Sequence, residues 1–389
     1  MKPFLVAWAI YLLVMELVPV LFLARIHVPQ KADFHGFYGA GVLARTEPSQ
    51  LYNVAKEMSI QINLGSPEHN WAVFIQPPYE ALLLVPFSLL PYRTAYLLYL
   101  AFNVALIVPC FLLAPEAFLH VIDPWQPRPG LLFFFFPPLF VAVLQGQDSI
   151  RLLLFCCAAW YELKRGKNFS AGLLLALALF KMQVIIPLAV LLIIWRGGRL
   201  LAGFVAGTVV VSGASLWLVG VRGIHAWGKL LLLHSLIKDE ATSAQLATTQ
   251  FPTSMPNLRG LLYGCGGRYL PHLWLVAITL ALSLALLLWI AHLLRRERDE
   301  ATAFALATIG ALLLSYHLHV HDLTVLLLPI GLLAGRVRPY FAALVSVCFL
   351  LPVLVVVRLG PQAHYLMAIP LLGFVWLIAR EPGVDVSIP

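Results

Sequence analysis

Asp33 and His35 stand two residues apart in "KADFHGFYGAGVLARTEPSQLYN", residues 31–53, directly after the first apolar run. A carboxylate at an apolar boundary has its proton affinity raised by desolvation, which suits it to take a proton from a hydroxyl. Tyr38 and Tyr52 add hydroxyl-bearing rings, and Gly36, Gly39 and Gly41 would let a ligand come close to the backbone. A lone Asp at this place reads as a solvated charge. The company of the imidazole, the glycines and the tyrosines favours a general base.

Other polar groups sit at breaks in apolar sequence. In "FIQPPYEALLLVPFSLLP", Gln76 and Tyr79 flank a Pro-Pro helix break and could face the same pocket as Asp33. "QGQDSIR", 145–151, brings Gln147 and Asp148, with Arg151 one helical turn beyond Asp148, where the two could pair on one face. Lys181 lies between two short apolar runs and could snorkel to headgroups or meet a phosphate as a point charge. "SYHLHVHD", 315–322, holds His317, His319, His321 and Asp322. Imidazole and carboxylate invite a metal. Alternate positions share a face only in extended chain, however, and no closing pattern such as HExxH occurs. Donation to phosphate or sugar oxygens is the better reading, and neither a metal nor another cofactor is expected. No Walker loop, GxGxxG or GxSxG is present, which argues against nucleotide hydrolysis, dinucleotide chemistry and the common serine hydrolase design.

The elements that must position these groups are membrane helices. Of 389 residues, 61% are hydrophobic and 11% charged, with a mean hydropathy of +0.88, the composition of a polytopic membrane protein. The formal charge of +8 falls in short loops, so nucleic acid is not an expected partner. The five cysteines lack metal-like spacing and read as packing residues. Apolar runs at 4–24, 92–114, 131–146, 149–163, 169–181, 184–195, 200–219, 271–294, 301–317, 322–335, 339–357 and 363–379 predict about 12 transmembrane helices, the first retained.

The proline-bounded run 77–91 is too short to span and reads as an external re-entrant or interfacial helix. With it not crossing, the basic clusters 164–167, 196–199, 295–298 and 335–338 and both termini fall on the cytoplasmic side. The polar segments then converge on the external face, near span ends, where charge is expensive and a functional reading is the default. One integral domain, 1–389, is expected, its external loops 25–91 and 220–270 covering the site, with an interfacial amphipathic helix inside 220–256. A transporter or lipid flippase is the rival. Alternating access favours midplane groups and a repeat between halves, which this sequence does not display.

Taken in order, "DFHGFYGAGVLARTEPSQLYN", "QPPYEALLLVPFSLLP", "GQDSIRLLLF", "SAGLLLALALFKMQVIIPLAVLL" and "YHLHVHDLTVLLLP" resemble the C-type membrane glycosyltransferases of family 87, the polyprenol-phosphate-mannose-dependent mannosyltransferases, over residues 31–329. The resemblance implies an all-α GT-C fold in the cytoplasmic membrane of a prokaryote, with the active site facing outside. It implies a hexose, mannose by family default, moving from a polyprenyl-phosphate donor to a lipid or glycan acceptor, among membrane lipids. Asp33 maps onto the general base, and His319 or His321 onto a late histidine near the donor phosphate. Gln76 stands where similar sequences often carry an aromatic residue. A departing polyprenyl phosphate needs cationic or hydrogen-bonding support, for which Lys181, Arg151, Arg259 and the histidines are candidates, and a single displacement would invert the anomeric centre. His35, Tyr38, Gln76, Tyr79, Gln147, Asp148 and Asp322 complete the expected donor- and acceptor-binding set.

Overall fold

The apolar periodicity becomes helix throughout. The computed structural model describes residues 32–65, 72–118, 136–236, 252–334 and 340–380, and among these no strand occurs. The expected first span, the start of the 131–146 run and the basic cluster 335–338 lie outside the described residues. The helices used below are α1 (Phe34–Thr46), α2 (Val54–Asn63), α3 (Pro78–Ser88), α4 (Tyr92–Ala105), α5 (Pro137–Leu144), α6 (Ser149–Lys164), α7 (Asn168–Leu177), α8 (Met182–Arg196), α9 (Gly198–Leu236), α10 (Leu258–Gly266), α11 (His272–Arg296) and α12 (Glu300–Leu314).

Five stretches, Tyr92–Leu113, Leu179–Arg196, Gly198–Leu232, His272–Arg296 and Gln362–Arg380, are long and apolar enough to cross a membrane. Each falls on an expected span. Four more apolar helices, Asn168–Leu177, Glu300–Leu314, Val320–Leu333 and Phe341–Leu354, have 10–17 residues. Helix α3 has 11 residues between prolines, about 16 Å or half a bilayer core, as its length implied.

The stretches 25–91 and 220–270, expected as long loops, are largely helical. The first holds α1, α2 and α3, and in the second α9 runs on to Leu236 past a kink at Gly220, where φ is 66°. Helices of ten to thirteen residues escape a search for membrane-length runs, and packing rather than propensity stabilises them. Leu230, in the expected amphipathic segment, is buried in a core with Val219, Phe34 and Tyr99.

The chain packs as two compact units. The first comprises the described residues of Met1–Ile107, Phe140–Ile150 and Ala206–Gln250. Its centre is Phe34, fully buried, with Tyr99 stacked at 4.8 Å and Tyr92 and Tyr96 at 5.9 Å. Helix α1 packs most extensively on α3. The glycines of α1 serve the protein rather than a ligand: a Cβ at Gly36 would lie 2.2 Å from the Ala72 carbonyl oxygen, and one at Gly41 2.6 Å from that of Leu84. Side chains hold the extended segment over Gly36. Gln61 bonds both the N–H and the carbonyl of Ala72 at 3.1 and 3.0 Å, and Phe74 N–H donates to Glu57 Oε1 at 2.7 Å. Trp227 Nε1 donates to the Ile75 carbonyl at 3.0 Å, and the Tyr52 hydroxyl to that of Gln76 at 2.7 Å.

Glu57 is 1% exposed, and its Oε2 has no hydrogen-bond partner among the described residues. Burial pushes its pKa from 4.5 up to about 8, against the opposing pull of the Phe74 N–H. Below pH 4.5 folded and unfolded chains both carry the proton. Between 4.5 and about 8 the unfolded chain releases it and the folded chain keeps it, so stability falls as pH rises, by about 1.4 kcal/mol per unit, and levels off above. Glu57→Gln, which keeps an acceptor for Phe74, is expected to flatten that decline. Unfolding midpoints in detergent from pH 5 to 9 check it, and a parallel decline in the variant would assign the effect to another group.

The second unit comprises the described residues of Val108–Leu139, Arg151–Val205 and Phe251–Pro389. It has two chemically distinct ends. At one, Lys164 at the end of α6 pairs with Glu116 at 2.8 Å, which also accepts from Trp160 Nε1 at 2.6 Å. Arg196, ending α8, pairs with Glu300, starting α12, at 2.6 Å, and Arg298 shares a cleft with Lys164 and Glu300. Three of the expected basic clusters therefore lie together. Helix α8 has 15 residues, so its opposite end, where Lys181 stands, is about 22 Å away.

Candidate functional site

Asp33 holds the N-cap position of α1 yet makes no capping bond. An Asp there ordinarily accepts from an N–H of the first turn. Here the His35 and Gly36 N–H groups donate to the Ala32 and Asp33 carbonyls at 3.2 and 3.0 Å, the Phe34 N–H donates to the Gln145 carbonyl at 3.0 Å, and Asp33 Oδ2 instead accepts from Gln147 Nε2 at 2.6 Å. Oδ1 has no hydrogen-bond partner among the described residues, and the side chain is half-buried with Tyr92 in electrostatic reach. A carboxylate spared from capping, fixed through one oxygen and open at the other, is arranged to receive a proton.

The second cluster lies in the second unit, where α12 ends and the chain bends at Tyr316 and His317 before His319. Asn257 caps α10 by accepting from Gly260 N–H at 2.8 Å and donates to the Ser315 carbonyl at 2.6 Å. The His317 and His319 rings are 4.5 Å apart, their Nε2 atoms 2.8 Å. In such a pair one Nε2 donates and the other accepts. Both are half-exposed, whereas His321 is buried. Asp322 ties the turn together, with Oδ1 3.0 Å from Lys181 Nζ and 3.6 Å from His321 Nε2, and Oδ2 accepting from the His319 N–H at 3.1 Å. The Lys181 charge, expected at a phosphate, is thus engaged by Asp322 with both side chains buried. Arg259 keeps a charge with no carboxylate partner among the described residues; it stacks 4.0 Å from the Tyr316 ring and donates to the Tyr316 carbonyl at 3.2 Å. Arg151 lies over Phe180 at 4.6 Å. Among the described residues no group of three or more His, Cys, Asp or Glu could hold a metal ion.

Other expected residues make contacts within the protein. The ring of His35 is buried and its Nδ1 bonds the Ala32 carbonyl. The hydroxyl of Tyr38 donates to the Leu90 carbonyl at 2.8 Å, Gln76 Oε1 accepts from the Ile75 N–H at 3.1 Å, and the Tyr79 N–H donates to Ser215 Oγ at 3.1 Å. Asp148 is fully buried. The first unit thus assembles Asp33 with Gln147, and the second assembles Lys181, Arg259, the histidines and Asp322. Asn103 and Tyr92 join the Asp33 site without having been expected. An Asn within a membrane-length helix is itself a signal, and it was available at Asn103. Nothing in the sequence marks Tyr92.

Comparison with known proteins gives one assignment. The glycosyltransferase family 87 model matches residues 74–318, which takes in α3 through α12 and the first half of the histidine turn. Asp33 precedes the matched stretch, and His319, His321 and Asp322 follow it. No curated protein and no solved structure matches. The matched stretch exceeds half of the sequence, and the chain belongs to glycosyltransferase family 87.

Proposed function

We propose that this glycosyltransferase moves a hexose, mannose by family default, from a polyprenyl phosphate to a hydroxyl of a lipid or glycan acceptor at the external membrane face. The observation that carries the reading is the Asp33 carboxylate, which does not cap its own helix and offers Oδ1 while Gln147 holds Oδ2. Asp33 takes the acceptor proton as the acceptor oxygen forms its bond to the anomeric carbon. The bond from that carbon to the phosphate oxygen breaks with its electron pair leaving on the phosphate, and the centre inverts. Arg259 and the His317–His319 pair suit the developing charge, since Lys181 is already matched by Asp322. Because phosphate is a weakly basic leaving group, the displacement needs neither a nucleotide nor a metal.

The positive-inside rule gives the orientation: the end of the second unit carrying Lys164, Arg196 and Arg298 faces the cytoplasm and the histidine end faces out. Family membership and the membrane-length helices support a GT-C fold of about 12 spans. Purified protein in detergent, given labelled polyprenyl-phosphate mannose, polyprenyl-phosphate glucose or GDP-mannose with extracted membrane lipids, is expected to label the lipids from polyprenyl-phosphate mannose. Transfer from the nucleotide sugar alone would overturn the donor class, and transfer from the glucose lipid alone would replace mannose.

A further inference from the structure

The turn that touches Asp33 is held more firmly than a hairpin between two helices requires. Three contacts from outside fix its backbone: the Tyr96 hydroxyl donates to the Leu144 carbonyl at 2.6 Å, Phe34 N–H to the Gln145 carbonyl at 3.0 Å, and Asn103 Nδ2 to the Gln147 carbonyl at 3.0 Å. Two more close it on itself, Gly146 N–H to Val143 and Gln147 N–H to Ala142, at 2.9 and 2.8 Å. Gly146 has φ of +63°, and a Cβ there would sit 2.8 Å from that of Phe34, so the turn lies flat against the residue that follows Asp33.

Asn103 is the telling member. It is fully buried within the membrane-length stretch Tyr92–Leu113, and its Oδ1 has no hydrogen-bond partner among the described residues. An unsatisfied buried amide oxygen is destabilising, and an apolar residue would serve packing better. What Asn103 does accomplish is to fix the carbonyl of the residue whose side chain grips Asp33.

We infer that Asn103 and Gln147 are positioning residues that aim the Asp33 carboxylate, Asn103 through the Gln147 backbone and Gln147 through its amide. The inference rests on Asp33 being the base. Gln147, expected to bind donor or acceptor, then acts on the protein's own carboxylate. A donor on Oδ2 fixes that oxygen and leaves Oδ1 to the acceptor; a misaimed base loses rate without losing substrate affinity.

Gln147→Glu is nearly isosteric but puts an acceptor where Asp33 needs a donor. With polyprenyl-phosphate mannose and extracted lipid acceptors, Gln147→Glu and Asn103→Ala are expected to lower kcat about 100-fold with the donor KM unchanged. In an Asp33→Asn background Gln147→Glu should cost nothing further, because the group it aims is gone. If Asp33→Asn is inactive while Gln147→Glu keeps full kcat, the positioning role is wrong and the base stands. Full transfer by Asp33→Asn itself removes the base and this inference with it. A raised donor KM at unchanged kcat in Gln147→Glu would return Gln147 to substrate binding.

Discussion

Asp33→Asn lowers sugar transfer about 1,000-fold or more, while the protein inserts and accumulates as the wild type does. The size follows from what general bases contribute, about 10²- to 10⁴-fold. The substitution removes a charge and a proton acceptor and leaves the shape unchanged. It is a clean test here for a structural reason. An Asp at an N-cap usually stabilises its helix, and losing it costs about 1 kcal/mol. This one makes no such bond, and the His35 and Gly36 N–H groups that an N-cap side chain would accept from donate to the Ala32 and Asp33 carbonyls instead. The start of α1 therefore survives the change, and lost transfer reports chemistry. Membranes given labelled polyprenyl-phosphate mannose provide the measurement, with immunodetection of inserted protein as the control. Transfer at the wild-type rate would leave Asp33 as an interfacial charge.

Much of this site was legible in the sequence where chemistry is local. Asp33 beside an imidazole and tyrosines, and three histidines beside Asp322, mark themselves by residue type, and the structure gathers His317, His319, His321 and Asp322 on one turn. The membrane-length helices were legible for a similar reason: a run of apolar residues marks its own boundaries. What escaped was pairing. Whether the Lys181 ammonium meets a phosphate or a carboxylate depends on Asp322, far along the chain, and no spacing encodes that. Gly36 and Gly41 call for close approach, but the residue type does not say whether a ligand or the Ala72 and Leu84 carbonyls will approach. The short helices α1 and α2 were hidden by length alone, since hydropathy finds runs long enough to cross and passes over shorter ones, whereas bounding prolines marked α3 as a short helix.

The Lys181–Asp322 pair sets the second large effect. Both side chains are buried and 3.0 Å apart. Removing one partner of such a pair leaves an uncompensated charge and typically costs about 3–5 kcal/mol, whereas replacing both with apolar residues is often neutral or stabilising. Lys181→Met is therefore expected to lower the unfolding midpoint in detergent sharply, and Lys181→Met with Asp322→Leu to recover it. Activity should not recover with it. Asp322 Oδ2 also accepts the His319 N–H at 3.1 Å, and without that bond the turn that holds His319 against His317 is released. A folded, monodisperse double variant with low transfer is the expected result. A wild-type midpoint in Lys181→Met alone would show that the ammonium is not needed to neutralise Asp322. A double variant with full transfer would show that the histidine turn keeps its shape without the carboxylate, and that the pair stabilises the fold and nothing more.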